Sequence, residues 1–167
     1  MAWSTPVTDR TLQDVTLGTE KAFINVVDLN RILENTDVVY DLFVSELGIT
    51  LLYAPLSPLV KDRGYIPSKA DLNAMLGNIE NMRAWGRNYL WKYLQPDPGF
   101  VAIDHAWNDG KTAAAPDYTD ANTWEHVLLS LYTILSDWTP PVVSGNLTLQ
   151  SGSDLELIGS GYLELIG

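Results

Sequence analysis

The sequence predicts a mainly α protein: a small bundle of three amphipathic helices followed by a short C-terminal β-repeat element. Three observations support this fold class. A helix-start motif recurs within residues 26–138, apolar residues follow it at steps of three and four, and the last residues alternate leucine with polar residues. The 167 residues give room for one ordinary domain and a small appendage.

The helix-start motif is an aspartate followed by leucine and asparagine. It occurs at Asp28–Asn35 and Asp71–Asn78, and a weaker third copy begins near Tyr118, where we align Thr123 with Asp71. The apolar stripes that follow predict helices at about 26–46, 69–94 and 121–138. The second helix is expected to end before Pro96, because proline interrupts the backbone hydrogen bonds of a helix.

Residues suited to capping these helices precede each copy. Asn25, Ser68 and Asp120 can each accept a hydrogen bond from a free backbone N–H of the first turn, which makes them the predicted N-caps. The paired asparagines of the first two copies leave two interpretations open: they bridge helices by hydrogen bonds or they face water. These pairs are Asn30 with Asn73 and Asn35 with Asn78.

The chain divides into four predicted regions. Residues 1–25 form an N-terminal extended arm, 26–138 the helical body, 139–143 a proline linker and 144–167 the β element. Within the body, the apolar, proline-containing residues 47–64 are expected to form an extended crossover.

The β element consists of three octads, at 144–151, 152–159 and 160–167. Leucine alternates with threonine or glutamate in each, which is typical of half-buried strands. Three strands this short cannot shield their own aliphatic side chains, so we expect other copies, a trimer first, or a partner protein to cover them, with the β-structure continuing into another subunit. The predicted interface residues are Leu147, Leu149, Leu155, Leu157, Ile158, Leu163, Leu165 and Ile166.

Composition argues against several classes of function. The formal net charge of −11 disfavours nucleic-acid binding, which needs cations to neutralise phosphates. Cysteine is absent, so thiol catalysis and thiolate metal sites are excluded. No metal, cofactor or catalytic residue is predicted, and we expect no enzyme. A small hydrolase that uses Asp104 and His105 is the enzymatic alternative, and His126 is interpreted as a surface or interface residue.

The sequence also lacks targeting features. Its N-terminal residues show no charged start followed by an apolar run, so no secretory signal is predicted. No stretch of about 18 apolar residues occurs, and no membrane insertion is expected. The chain is expected to be made and folded in the cytosol.

Aromatic residues offer another alternative, because aromatic platforms bind sugars as well as build cores. A carbohydrate-binding module would use Trp107 and Trp124.

The repeated segments carry a resemblance to a known class. Trp3–Arg10, Phe23–Asn35 and Tyr65–Asn78 resemble segments of small structural proteins of tailed bacteriophages, particularly those of Gram-positive hosts. The octads likewise resemble β-structured parts of fibre and tail-associated proteins. The resemblance implies a non-enzymatic component of the virion at the tail or baseplate, in contact with other virion proteins. A head-decoration or head-fibre protein is the alternative position, and no catalytic residues are implied.

Overall fold

The computed structural model of the chain describes residues 2–21, 24–56, 69–90, 97–103, 117–139, 156–158 and 162–164. In chain order, its elements are helices α1 (Leu12–Leu17), α2 (Val26–Leu47), α3 (Lys69–Tyr89) and α4 (Tyr118–Ser136), then strands β1 (Glu156–Ile158) and β2 (Tyr162–Glu164). The described part of the chain is mainly α. The chain divides into two compact units, Met1–Asp137 and Trp138–Gly167.

Helix α2 begins where the sequence predicts. The side chain of Asn25 accepts hydrogen bonds from the backbone N–H groups of Val27 (2.8 Å) and Asp28 (3.1 Å). Asp28 accepts the N–H of Asn25 in return (3.1 Å), which completes a capping box. The helix ends at Gly48, whose positive φ of 65° is accessible to glycine without steric cost. The predicted cap at Asn25 is confirmed.

Helix α4 begins three residues earlier than predicted. Asp117 is the N-cap and accepts the N–H groups of Thr119 (2.7 Å) and Asp120 (3.2 Å), while Asp120 accepts the N–H of Asp117 (2.9 Å). The predicted cap at Asp120 is therefore wrong. Both aspartates can cap a helix, and Asp120 serves from inside the first turn rather than from the cap position.

Helix α3 is shorter than predicted at its C-terminal end. It ends at Tyr89, and Leu90, which is buried, leaves the helical path although its N–H still bonds the carbonyl of Gly86 (2.7 Å). No proline or glycine follows directly to mark this end in the sequence, so the prediction extended to 94. Residues 91–94 and the predicted cap Ser68 lie outside the described residues.

The predicted extended arm is interrupted by helix α1. Thr11 and Asp14 form its capping box, with Thr11 N–H to Asp14 at 2.8 Å and Asp14 N–H to Thr11 at 3.2 Å. The prediction of an extended arm over residues 1–25 is therefore wrong for Leu12–Leu17. A threonine followed three residues later by an acid is the sequence signal for this helix start.

The three long helices run in the same direction. Arg31 near the start of α2 binds Glu125 near the start of α4 (2.7 Å). Phe43 near the end of α2 meets Trp85 near the end of α3, with ring centroids 5.3 Å apart. Because short turns join antiparallel helices, a parallel arrangement needs long connections, and the chain between the helices, at 48–68 and 90–117, is long enough for this.

Buried residues occur at the same spacing along the three long helices, α2, α3 and α4. When Asp28, Asp71 and Asp120 are aligned, the same later positions are buried in every helix. These positions are Ile32, Met75 and Trp124; Leu33, Leu76 and Glu125; Asn35, Asn78 and Val127; Thr36, Ile79 and Leu128; Val39, Met82 and Leu131; and Phe43, Gly86 and Leu135. The third copy therefore starts at Asp120, and the alignment of Thr123 with Asp71 is wrong by three residues.

The C-terminal unit contains the antiparallel strands β1 and β2. Their register places Glu156 opposite Glu164, Leu157 opposite Leu163 and Ile158 opposite Tyr162. The other predicted interface residues of the octads (Leu147, Leu149, Leu155, Leu165 and Ile166) lie outside the described residues.

Candidate functional site

Two extended segments, which we call the arms, lie in grooves between helices. The first arm is residues 2–10 and lies between α2 and α4; the second is residues 49–56 and lies between α2 and α3. The arms are the candidate functional region, because most of the long-range polar contacts of the described residues occur there.

An asparagine clamps the backbone of each arm. Asn35 accepts the N–H of Ser4 (2.9 Å) and donates to the carbonyl of Ser4 (2.8 Å). Asn78 makes the same two bonds to Ala54, both at 2.8 Å. Both asparagines are buried and occupy the same position of the repeat. Neither of the two roles predicted for this pair is correct, since each asparagine binds an arm instead of a second helix or water.

A stacked aromatic pair flanks each clamp. Trp3 stacks on Tyr132 with ring centroids 3.8 Å apart and an angle of 4° between the planes. Tyr53 stacks on Tyr40 at 4.1 Å. In both cases the aromatic residue of the arm immediately precedes the clamped residue, and the two tyrosines occupy equivalent positions of α4 and α2. The two grooves therefore bind their arms in the same way.

The first groove also contains a buried ionic cluster. The carboxylate of Glu125, which is completely buried, binds Arg10 (2.9 Å) and Arg31 (2.7 Å). Asp28 binds the same two guanidinium groups at 3.0 and 2.6 Å. Two positive and two negative groups thus neutralise one another in a site of low dielectric constant, where an unpaired charge would be costly.

The backbone of the first arm takes part in this cluster. Glu125 also accepts the N–H of Val7 (2.6 Å), and Arg10 donates to the carbonyl of Val7. Asn122 accepts the N–H of Arg10 (3.2 Å) and donates to its carbonyl (2.8 Å), repeating the clamp geometry of Asn35. Desolvation opposes the charge of Arg31, yet hydrogen bonds from it to Glu125 and Asp28 raise its pKa overall.

In the second groove, the arm residue that binds a carboxylate of the helices is a tyrosine, whereas in the first groove it is Arg10. The phenol of Tyr53 donates to Asp37. Burial raises the pKa of Asp37, with the Tyr53 hydrogen bond acting in the opposite direction. Burial and this hydrogen bond likewise raise the pKa of the Tyr53 phenol far above its ordinary value. Tyr53 therefore keeps its proton and donates it in the hydrogen bond to Asp37.

A third segment, residues 97–103, is fixed to α4 by a carboxylate. Asp97 accepts hydrogen bonds from His126 Nε2 (2.7 Å), the Gly99 N–H (3.0 Å) and the hydroxyl of Ser130. Burial acts to raise the pKa of Asp97, but these hydrogen bonds outweigh it and the pKa is lowered. A Cβ at Gly99 would overlap the imidazole ring of His126. Both the serine and the histidine bind the aspartate, so no serine–histidine contact suited to nucleophilic catalysis is formed.

One of the two residues predicted for glycan binding, Trp124, does not offer a platform. Trp124 is 3% exposed and packs inside the helical body, so its ring cannot receive a sugar, and that prediction is wrong. It falls on the buried stripe of α4 once the register starts at Asp120. Trp107, Asp104 and His105 lie outside the described residues. His126 is partly exposed, as expected for a surface residue, but it is bound to Asp97.

Sequence reasoning missed the ionic cluster and its partners. One signal was available, since Glu125 occupies a position of the apolar stripe where the other helices have Leu33 and Leu76. A carboxylate at such a position predicts a buried cation. No lysine or arginine follows residue 111, so an arginine or lysine partner had to come from residues 1–111.

Comparisons of the chain with known proteins found no match. No protein-family model matches the chain, and no curated protein or solved structure is detectably similar to it. In the described ranges, no helix has both the length and the apolar character that a membrane crossing requires. The same residues contain no group of three or more histidine, aspartate or glutamate side chains placed to hold a metal ion.

Proposed function

We propose that this chain is a non-enzymatic structural protein of a tailed-bacteriophage particle, located at the tail or baseplate. The supporting observation is the position of the residues on which the resemblance to phage proteins depends. Trp3 and Arg10 of the first arm bind the helical body, and Asp28, Arg31 and Asn35 of α2 receive that arm. The shared motif therefore encodes arm docking, which is a structural task.

The polar groups of the grooves are consistent with this proposal. The buried carboxylates and guanidinium groups of the first groove bind one another and the arm backbone. A catalytic group needs to face a substrate with an unoccupied bonding position. A body whose buried ionic groups are engaged internally is suited to holding a shape inside an assembly.

Association with particles tests the proposed location. Particles from a culture that produces the phage encoding this chain are purified on a density gradient and probed with an antibody against the helical body. The chain should band with the particles at a constant ratio to the major tail protein, and immunogold should label the tail end. Recovery only in the particle-free fractions would overturn the proposal, and label on the head would favour a head-fibre protein.

The proposal includes assembly through the C-terminal octads, with a trimer as the first expectation. The full chain is compared with the variants Leu155→Asp and Leu163→Asp by sedimentation. Each variant places a charge on the predicted apolar interface, so assembly should be lost while helix content is kept. Leu52→Asp is the matched control, because Leu52 is 84% exposed. A monomeric wild-type chain, or assembly that survives both octad substitutions, would contradict this part.

A further inference from the structure

The first arm is bound in its groove as an extended peptide would be. Three side chains of the helices bind its backbone: Asn35 at Ser4, Glu125 at Val7 and Asn122 at Arg10. Backbone hydrogen bonds hold an extended segment in place, while side-chain pockets select its sequence. The groove between α2 and α4 therefore has the features of a peptide-binding groove.

Two side chains of the arm provide the selection. Trp3 stacks on Tyr132 at one end, and Arg10, which is 3% exposed, enters the ionic cluster at the other. Buried tryptophan and arginine are the residue types that contribute most to binding at protein interfaces. The groove thus requires an aromatic residue followed seven positions later by arginine, which is the spacing of this chain's own arm.

The described residues directly after the first arm, 11–21, are what we call the connector, and none of them is buried. Helix α1 has no buried residue, and Leu12 and Leu17 are 65% and 67% exposed. Its ends are capped locally, by the capping box at Thr11 and by Gly18 in the left-handed conformation. The connector touches the arm through the ion pair of Lys21 with Asp9, whose side chains are 47% and 69% exposed. A change in the direction of α1 relative to the body would therefore expose no residue of α1 that is now buried.

We propose that the groove between α2 and α4 also accepts the first arm of a second copy, so that neighbouring copies are linked by exchanged arms. The identical arm of another copy makes every bond of the closed form, so exchange changes mainly the path of the connector. This inference rests on the proposed function in one respect, because a particle that holds copies side by side raises the effective concentration of neighbouring arms.

Site-specific cross-linking between two full-length variants tests the exchange. The chain has no cysteine, so single cysteines can be introduced freely. One variant carries Thr5→Cys on the arm and a second, of different size through an added tag, carries Glu34→Cys on α2. Both residues are exposed, and their neighbours Ser4 and Asn35 are hydrogen-bonded. After mixing at high concentration and treatment with a short bismaleimide, a cross-linked product of one chain of each kind is expected.

Three controls define the outcome. Thr5→Cys mixed with Leu52→Cys, a position that is 84% exposed on the second arm, reports random collision and should give no such product. Adding Trp3→Ala to the arm variant should abolish the mixed product, whereas Trp3→Phe should keep it, provided that circular dichroism shows unchanged helix content. The double variant Thr5→Cys/Glu34→Cys verifies that the two positions are within reach.

If no product of one chain of each kind forms, while the double variant Thr5→Cys/Glu34→Cys cross-links within a single chain, the exchange is refuted. Because the readout is a defined pair of positions, copies that assemble only through the octads would give no mixed product at these cysteines. Association with particles is measured separately, so failure of the virion proposal and failure of arm exchange remain distinguishable.

Discussion

The two grooves that hold the arms share one geometry but differ in chemistry. In both, a buried asparagine clamps an arm residue and an aromatic pair stacks beside it. The first groove adds a buried cluster of Arg10, Arg31, Asp28 and Glu125, and the second adds the neutral phenol of Tyr53. The comparison shows that the repeat specifies how an arm is held, and that a buried ionic cluster distinguishes the first groove from the second.

The largest expected effect comes from breaking the ionic cluster. Glu125→Gln leaves the buried guanidinium group of Arg10 and the partly buried one of Arg31 beside a single carboxylate, so the free energy of unfolding should fall by about 3–5 kcal/mol. Urea denaturation measures this change. Glu34→Gln neutralises an exposed glutamate of α2 and should change the stability by less than about 0.5 kcal/mol. A similar result for both variants would mean that the cluster does not stabilise the first groove.

The clamps should have smaller and equal effects. Asn35→Ala and Asn78→Ala each leave a backbone N–H and a carbonyl of an arm without a partner, at an expected cost of about 1–3 kcal/mol. Asn81→Ala is the control, because Asn81 is exposed and donates a single bond to the carbonyl of Leu52 (3.1 Å). Urea midpoints compare the three variants, and a loss confined to Asn35 would show that the two grooves are not equivalent.

Gly99, in the third segment at residues 97–103, can be compared with Gly77 of α3. Gly99→Ala forces the imidazole of His126 away and disturbs its bond to Asp97, at an expected cost of about 1–3 kcal/mol. Gly77→Ala is the matched control. A Cβ there meets nothing within 4 Å, and alanine favours a helix, so a gain of about 0.5–1 kcal/mol is expected. Thermal unfolding distinguishes the two signs, and a stabilising Gly99→Ala would contradict the packing of His126.

The smallest effect concerns pH, and its sign differs between two carboxylates. The lowered pKa of Asp97 means that its stabilisation is present above the ordinary carboxyl pKa of about 3.9 and is lost as the pH falls through the folded-state pKa. The advantage of the wild-type chain over Asp97→Asn should therefore shrink below about pH 4.

Asp37 should behave in the opposite way. Its raised pKa means that the folded state binds the proton more tightly than the unfolded chain. The wild-type chain should gain stability relative to Asp37→Asn as the pH falls through that raised pKa. Melting temperatures between pH 3 and 7 test both signs, and parallel curves for the two variants would refute the assignment.

Prediction from the sequence succeeded where the signal is local. The helix α2 and its cap Asn25 follow from residues within one turn of each other, and the apolar stripes predict which faces are buried. The error at Asp120 is also local, because Asp117 and Asp120 are chemically equivalent candidates for one cap. The sequence alone does not say which of the two aspartates is the cap. In the structure the cap is Asp117, and the first buried residue of α4 is Ala121.

The roles of the asparagines could not be predicted in the same way. Asn35 and Asn78 can bind any backbone segment or water, and their partners Ser4 and Ala54 are distant in the sequence. Trp124 shows the same limit, since an aromatic residue suits a sugar platform as well as a core.

The sequence by itself determined the three long helices, the starts of α2 and α3 and the repeat, because backbone hydrogen bonding and apolar periodicity depend on near neighbours. Only the tertiary structure decided that the helices run parallel, that the arms lie between them and that Glu125 meets Arg10 and Arg31. The physical reason is that a buried charge or amide gains its stability from whichever partner the fold brings within hydrogen-bond distance, and that partner is specified by packing over the whole body.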